Sequence, residues 1–244
     1  MNSASGYDLS LLGCWQLKFR GQPLCVAPRQ RRLISALALR GTRSRHYMAD
    51  LLWPESSEVQ AAGSLRASVF RISHQLPMLL GGGLDPLRLD EDVDVDLHKV
   101  QDLIGSIGDG DAPPCGGIDV LRDAELLPGW YEDWVLFEQE HLQIQRLSAL
   151  ETMARQYLGQ GDIWRALEAA TAAATIEPFR ESARLIMVRA HLAEDNYASA
   201  VHVYENFRRD ILRELGVEPS SSFRELLGMH PSGASRAAPR QMLR

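Results

Sequence analysis

The fold is decided by residues 44–76, which read SRHYMADLLWPESSEVQAAGSLRASVFRISHQL. Ser44 is a favourable N-cap for a short helix, and Trp53-Pro54 predicts its end, because the residue before a proline avoids helical backbone. A longer helix is predicted from Glu58 to Leu76, with one apolar stripe at helical spacing. The stripe consists of Ala61, Leu65, Val69, Ile72 and Leu76. This pattern predicts a helix with one side in a core and the other in solvent.

The opposite side of the longer helix is basic and carries no acid. It contains small, aromatic and basic residues: Gln60, Gly63, Arg66, Ala67, Phe70, Arg71 and His74. A helix face that is only solvated usually mixes acidic and basic side chains. The face is therefore a candidate for contact with a polyanion.

Three helices and two hairpins are predicted around this stretch. Pro28 suits the first turn of a helix that runs to Gly41. Short β segments flank the three helices: Leu9–Phe19 and Leu24–Val26 before them, Met78–Leu80 and Leu87–Leu89 after them. This order is typical of a winged helix-turn-helix, whose second motif helix enters the DNA major groove.

Charge divides the 244-residue chain more sharply than its net charge of -6 indicates. Residues 1–80 carry ten lysines and arginines against four acids, a net charge of +6. Residues 81–140 carry three against sixteen, a net charge of -13. An electrostatic footprint for a polyanion therefore lies before residue 81. The acidic block is predicted to be a solvated surface; masking of the basic face or contact with a basic polymerase surface are the alternatives.

The second half of the chain is predicted to be helical. Helices are expected near residues 134–158, 163–176, 180–193 and 197–215, after an exposed loop at 105–117. A self-match at an offset of 34 residues pairs Leu158 with Leu192, Asp162 with Asn196, Ile163 with Tyr197 and Ala166 with Ala200. This offset is the tetratricopeptide period, so stacked helix pairs are predicted, with ordinary four-helix packing as the alternative.

Several motifs carry a resemblance to a known family. The chain resembles the OmpR-type winged helix of the Streptomyces antibiotic regulatory protein family in Ser44-Arg45, Met48-Ala49-Asp50-Leu51-Leu52-Trp53-Pro54-Glu55, Ser64-Leu65-Arg66 and Arg71-Ile72. It resembles the bacterial transcriptional activator domain, which follows in that family, in the Trp130 to Trp134 cluster, Glu177-Pro178-Phe179-Arg180-Glu181-Ser182 and Leu215-Gly216-Val217-Glu218-Pro219. The resemblance covers about residues 9–227.

The resemblance implies a transcriptional activator that binds direct repeats near a promoter as at least two protomers. Such a protein contacts double-stranded DNA and helps recruit RNA polymerase, for example at a biosynthetic gene cluster. The alternative is an interaction scaffold whose winged helix binds protein rather than DNA. Ser73 and His74 keep this alternative open, because family members more often carry arginines there.

Pattern and resemblance together predict a fold that is mainly α with a small β part. A winged helix-turn-helix (α+β) is expected at residues 1–96 and an all-α, tetratricopeptide-like repeat domain at residues 97–228. Residues 229–244 are expected to form a disordered tail.

Eleven residues are predicted to contact DNA. Arg66 and Arg71 are candidates for guanine or phosphate, and Phe70 for a thymine methyl or sugar. Arginines at the starts of the first two helices are candidates for phosphate. Arg88 is a candidate for the minor groove or for a pair with an acidic neighbour. The full set is Arg29, Arg31, Arg32, Arg43, Arg45, Arg66, Ala67, Phe70, Arg71, His74 and Arg88. For each arginine, the alternative is a solvated side chain or an intramolecular ion pair.

Other functional classes lack their motifs. The sequence has no phosphate-binding P-loop, no G-x-S-x-G elbow and no H-E-x-x-H, so no enzyme, cofactor or metal is expected. Asp92, Asp94 and Asp96 have calcium-loop spacing, but Leu97 and Leu103 stand where glycine and glutamate are required. An edge strand with these acids facing water is predicted instead. No apolar run could span a membrane and no secretory signal is visible, so a cytoplasmic protein without membrane contact is expected.

Overall fold

The computed structural model describes residues 6–83, 85–109, 114 and 116–228. The chain forms two compact units, Met1–Arg146 and Leu147–Arg244. The predicted disordered tail, residues 229–244, lies outside the described residues.

The first unit begins with a sheet of four strands: β1 (Tyr7–Ser10), β2 (Gln16–Phe19), β3 (Gln22–Pro23) and β4 (Asp94–Val95). The strand order is β3-β2-β1-β4, with β1 antiparallel to β2 and parallel to β4. Leu9 lies between Leu17 and Val95 in the register, and all three are buried. The predicted second arm of the first hairpin, Leu24–Val26, is wrong. The arm is β3, which begins earlier because Arg20 and Gly21, with φ of 50° and 79°, already complete a two-residue turn. Beyond β3, the N–H of Leu24 still donates to the carbonyl of Leu17 at 2.9 Å.

Three helices follow: α1 (Pro28–Arg40), α2 (Arg45–Leu52) and α3 (Glu58–Gln75). The predicted caps are confirmed, since Ser44 accepts a hydrogen bond from the N–H of Tyr47 and α1 ends at Gly41 with a φ of 67°. The helices share a core whose members are at most 2% exposed: Leu33, Ile34, Leu37, Met48, Leu52, Leu65 and Ile72. Burial of this core orients α3.

The second hairpin forms the wing. Leu80 and Leu89 pair across it, and the N–H of Gly81 donates to the carbonyl of Arg88 at 3.1 Å. A β-carbon on Gly81 would lie 2.7 Å from Nε of Arg88, so the arginine side chain passes directly over this glycine. Leu84 lies outside the described residues.

The predicted edge strand is confirmed, since β4 lies at the edge of the sheet. The prediction that all three acids face water is wrong for one of them. Asp96 does not face water. Its carboxylate accepts the backbone N–H groups of Leu11 at 2.9 Å and Leu12 at 3.2 Å, because the residue leaves β4 beside the end of β1 and begins α4 (Asp96–Gly108). The predicted loop at residues 105–117 is also wrong in its first part, since α4 continues through Gly108.

The first unit extends beyond residue 96. It includes α4, α5 (Gly117–Asp123) and the first part of α6 (Asp133–Gly159). The buried guanidinium of Arg146 donates from Nε to the carbonyl of Leu121 at 2.6 Å, and also to the carbonyl of Arg122. This contact satisfies carbonyls at the end of α5. The domain boundary at residue 96 stays a prediction.

The second unit contains the rest of α6, α7 (Ile163–Ile176), α8 (Glu181–Ala193), α9 (Tyr197–Leu215) and α10 (Ser221–Leu226). The 34-residue self-match corresponds to equivalent positions in two helix pairs. Asp162 caps α7 and Asn196 caps α9, each accepting the N–H three residues further on, at 3.1 and 3.2 Å. Ala166 and Ala200 are both fully buried. The helical second domain is therefore confirmed.

A buried ion cluster lies within the second unit. The carboxylate of Glu151 accepts hydrogen bonds from Arg180 and Ser182 and pairs with Arg155 at 2.9 Å. Burial by itself would raise the pKa of Glu151. These donors and charges lower the pKa by more than burial raises it, so the pKa lies below its ordinary value. The cluster fixes α6 to the start of α8.

Candidate nucleic-acid interface

The orientation of α3 is fixed at its first turn and along its inner side. Ser57 and Gln60 form a capping box, in which each side chain accepts the backbone N–H of the other, at 3.4 and 3.3 Å. The predicted stripe is buried at Ala61, Leu65, Ile72 and Leu76. Val69 is only half-buried. The opposite side is therefore held towards solvent.

The outer side of α3 is exposed as predicted, except for half-buried Gly63. Its exposed residues are Gln60, Arg66, Ala67, Phe70, Arg71 and His74. In the part of the chain that the structure describes, neither Arg66 nor Arg71 has a carboxylate within salt-bridge distance. Each guanidinium therefore keeps its positive charge uncompensated and its five N–H donors available.

Two rings lie in contact on the same side of α3, tilted by 36° to each other. The centroids of Phe70 and His74 are 3.9 Å apart, and Nδ1–H of His74 donates to the carbonyl of Phe70 at 2.9 Å. This bond holds the imidazole against the helix. Since residues four apart are neighbours on a helix, Arg66, Phe70 and His74 form one row. An apolar surface thus lies beside the cationic one.

The connection between α1 and α2 is joined to the wing. Arg43 and Leu87 exchange two backbone hydrogen bonds, of 3.0 and 2.8 Å, and the carboxylate of Asp85 accepts the backbone N–H of Arg45 at 2.9 Å. The guanidinium of Arg43 lies over the ring of Tyr47, 5.6 Å from its centroid. These contacts bring Arg43 and Arg45 to one surface with the wing.

Arg29 and Arg31 have different surroundings on α1. Arg29 is exposed. Arg31 donates from Nε to the carbonyl of Val26 at 2.7 Å, and its guanidinium lies over the ring of Trp15, 4.9 Å from the centroid. Both residues stay predictions as DNA contacts.

Arg32 and Arg88 each have an acidic neighbour. Nε of Arg32 is 3.1 Å from a carboxylate oxygen of Glu132, and its terminal nitrogen donates to the carbonyl of Leu52 at 2.9 Å. Arg88 pairs with Glu91 at 2.7 Å, which is the alternative that the sequence left open. Because the Arg88 pair is exposed, it does not prevent contact with an external anion.

Two residues of this surface were not predicted. Tyr47 lies on α2, but Arg43 precedes the N-cap Ser44, so helical spacing did not indicate their contact. Asp85 contacts Arg45 across 40 residues, so no local pattern indicates it.

The second half of the chain is similar to a known family of domains. A model of the bacterial transcriptional activator domain matches residues 118–228. Regulatory protein AfsR of Streptomyces coelicolor is 32% identical over 216 residues, which cover 82% of this chain and 22% of that protein. The predicted resemblance to the Streptomyces antibiotic regulatory protein family is confirmed. Regulatory protein AfsR of Streptomyces griseus is 28% identical over 226 residues, 85% of this chain and 23% of that protein. The chain thus spans less than a quarter of the curated relatives it matches.

One solved structure supports the fold. Mycobacterium tuberculosis EmbR, solved in complex with low affinity phosphopeptide, matches 91% of this chain and 64% of its own chain with a TM-score of 0.70. The identity is 19%, so this likeness concerns the fold alone. The predicted fold class is confirmed.

The described residues contain no group of three or more histidines, cysteines or acids that could hold a metal ion. None of the helices they form is both long and apolar enough to cross a membrane.

Proposed function

We propose that the chain is a sequence-specific, DNA-binding transcriptional activator whose α3 lies in the major groove. The observation that carries the proposal is the outer side of α3, where Arg66 and Arg71 are exposed without a carboxylate partner among the described residues. The major groove admits an α-helix, and arginine bonds two acceptors of guanine there. The matched relatives are named as regulatory proteins, which supports a regulatory rather than an enzymatic role.

The proposed DNA contacts fall into two groups, those of α3 with bases and those of other segments with phosphate. Arg66, Ala67, Phe70, Arg71 and His74 face base edges and the adjacent backbone. Arg43 and Arg45 lie at the start of α2, where their guanidiniums are candidates for phosphate, since the N–H groups of Arg45 and Tyr47 already bond Asp85 and Ser44. Arg29 and Arg88 are further candidates for phosphate. Arg32 contributes least, because Glu132 and the carbonyl of Leu52 already engage its guanidinium. Arg31 uses only its Nε within the protein and stays a candidate for phosphate.

The wider proposal concerns partners and organisation. Residues 1–96 read DNA, and residues 97–228 serve self-association or contact with a partner, RNA polymerase above all. At least two protomers occupy direct repeats, in the cytoplasm. The match of residues 118–228 to an activator domain supports this assignment.

Fluorescence anisotropy of the full chain with a labelled duplex from its own upstream region tests the proposal. Binding is expected to survive an excess of shuffled competitor DNA. It should weaken with salt, because each contacted phosphate adds about 0.9 to the slope of log affinity against log salt. Arg66→Gln and Arg71→Gln should each cost about 1–3 kcal/mol of binding free energy.

Arg189→Gln is the matched control, since Arg189 is an exposed arginine on α8 of the second unit. It should leave affinity and salt slope unchanged. Unchanged binding in the Arg66→Gln, Arg71→Gln double variant would contradict the assigned face. Absence of binding by folded protein would instead favour a scaffold that binds protein.

A further inference from the structure

A cavity of about 520 Å³ lies at the start of α1, away from the outer side of α3. Its lining consists of Pro28, Arg31, Arg32, Gly129, Trp130, Tyr131 and Glu132. Sites for small organic ligands have volumes in this range. We propose that this cavity binds a small organic anion that carries a flat ring. The inference is independent of DNA binding.

Arg31 is the first group that points to an anion. Its Nε bond to Val26 and its position over Trp15 hold the guanidinium in place. Among the described residues, its two terminal nitrogens have no hydrogen-bond partner. Four N–H donors are therefore held in a planar fork, the geometry that binds carboxylate or phosphate through two parallel bonds. A side chain already held in place loses little freedom on binding.

Arg32 and Glu132 leave the lining positively charged. The carboxylate of Glu132 is 3.1 Å from Nε of Arg32, yet this buried Nε makes no aligned hydrogen bond among the described residues. The pair is thus close but poorly oriented. The lining carries two guanidiniums against one carboxylate, and no acid stands in the first turn of α1. An anion is therefore favoured over a cation or a neutral ligand.

The aromatic residues Trp130 and Tyr131 indicate that the ligand carries a ring in addition to its negative charge. Gly129, with a φ of 83°, makes the turn that presents them beside the arginines. Tyr131 is 79% exposed, so the fold does not use its ring for packing. Flat rings stack on such side chains, and guanidinium groups also stack on rings. An inorganic ion would leave this wall without contact, so the ligand carries a ring.

Isothermal titration calorimetry of the full chain with defined probes tests the proposal. Salicylate supplies a ring with a carboxylate, and adenosine monophosphate supplies a ring with a phosphate. At least one of them should bind saturably at one site, and the stronger probe identifies the anionic group. Benzyl alcohol, a ring without charge, and inorganic phosphate, a charge without a ring, should each bind at least about tenfold more weakly, a difference near 1.4 kcal/mol.

Two variants locate the site. Arg31→Gln should weaken the better probe about tenfold or more, and exposed Tyr131→Ser about fivefold. Arg29→Gln removes the neighbouring charge outside the lining and should have no effect. If Arg31→Gln fails to fold, Tyr131→Ser decides. The proposal is overturned if folded wild-type protein binds neither ring-bearing anion, if inorganic phosphate binds equally well, or if Tyr131→Ser binds like the wild type.

Discussion

Arginines on α3 and arginines in the second unit have different partners. Arg66 and Arg71 are exposed without a carboxylate among the described residues. In the second unit, many arginines lie within 4.0 Å of an acid: Arg155, Arg165, Arg180, Arg208 and Arg213. A paired guanidinium has its charge compensated and part of its donors used, so it adds little to an external field. Neighbours, rather than arginine content, therefore distinguish a surface for an external anion from one whose arginines are already paired.

The largest effect is expected from removing the acid of the buried ion cluster. Glu151→Ala leaves Arg155 and Arg180 without their shared carboxylate, so the free energy of unfolding should fall by about 3 kcal/mol. Urea unfolding followed by circular dichroism measures this loss. Glu205→Ala is the matched control, because Glu205 also lies near an arginine, Arg208 at 3.9 Å, but is half exposed. The control should lose less than about 1 kcal/mol. Equal losses in Glu151→Ala and Glu205→Ala would contradict the expected difference between a buried and an exposed carboxylate.

The stability difference between the wild type and Glu151→Ala should also depend on pH. Burial raises the pKa of Glu151, but hydrogen bonds from Arg180 and Ser182, together with the charges of Arg180 and Arg155, outweigh it, so the folded pKa lies below the ordinary 4.5. A depressed carboxyl pKa stabilises the fold above the unfolded value, and this stabilisation is lost as pH falls through the folded pKa. The difference between wild type and Glu151→Ala should therefore be full near neutral pH and shrink below about pH 4.5.

The next effect concerns a buried arginine of the first unit. Arg146→Met removes the donors to the carbonyls of Leu121 and Arg122, so about 2 kcal/mol of stability should be lost. Chemical denaturation measures it, and DNA affinity per folded molecule should not change. Arg122→Met is the control, because Arg122 pairs with acids on the surface and should leave the unfolding midpoint nearly unchanged. A loss of DNA affinity in folded Arg146→Met would show that buried arginines also shape the DNA surface.

Local patterns predicted the helices well because they act over short distances. The Ser44 cap, Pro28 at the start of α1 and the stripe on α3 are each encoded within a few residues. The self-match at 34 residues likewise paired Asp162 with Asn196, and the structure shows that these two residues cap equivalent helices. The exposed face of α3 followed directly, since burial of one side determines which side remains outside.

Long-range contacts could not be predicted in the same way. Asp96 accepts N–H groups 85 and 84 residues away, so its alternation with Asp92 and Asp94 was misleading. The partner of Arg32 is Glu132, and the wing contact of Arg45 is Asp85. Whether an arginine is free or paired depends on such contacts, so the sequence supplied candidates for the site without ranking them.

A charge placed beside Arg71 can convert an unpaired arginine into a paired one. Ala67→Glu puts an acid four residues before Arg71 on the exposed side of α3, the favourable orientation for a helical pair. Stability should rise by about 0.2–0.5 kcal/mol, measured by denaturation. DNA affinity should fall about tenfold, or 1.4 kcal/mol, measured by anisotropy. Ala67→Gln, similar in size but neutral, should retain more affinity. DNA affinity in Ala67→Glu equal to or above that of the wild type would contradict the proposed role of α3.

The smallest effect is expected from a surface ion pair of the second unit, which should add little to the free energy of unfolding. Asp162 caps α7 and also lies 3.4 Å from Arg165, whereas Asn196 caps α9 without a charge. Asp162→Ala and Asn196→Ala should each lose about 1 kcal/mol, because each leaves one helix N–H without its acceptor. Asp162→Asn keeps the acceptor and removes only the pair with Arg165, so it should lose no more than about 0.5 kcal/mol. Urea unfolding of the three variants separates the two contributions. If Asp162→Asn lost as much stability as Asp162→Ala, the ion pair with Arg165 rather than the cap would stabilise α7. Paired arginines of the second unit would then stabilise the fold measurably, which unpaired arginines on α3 do not.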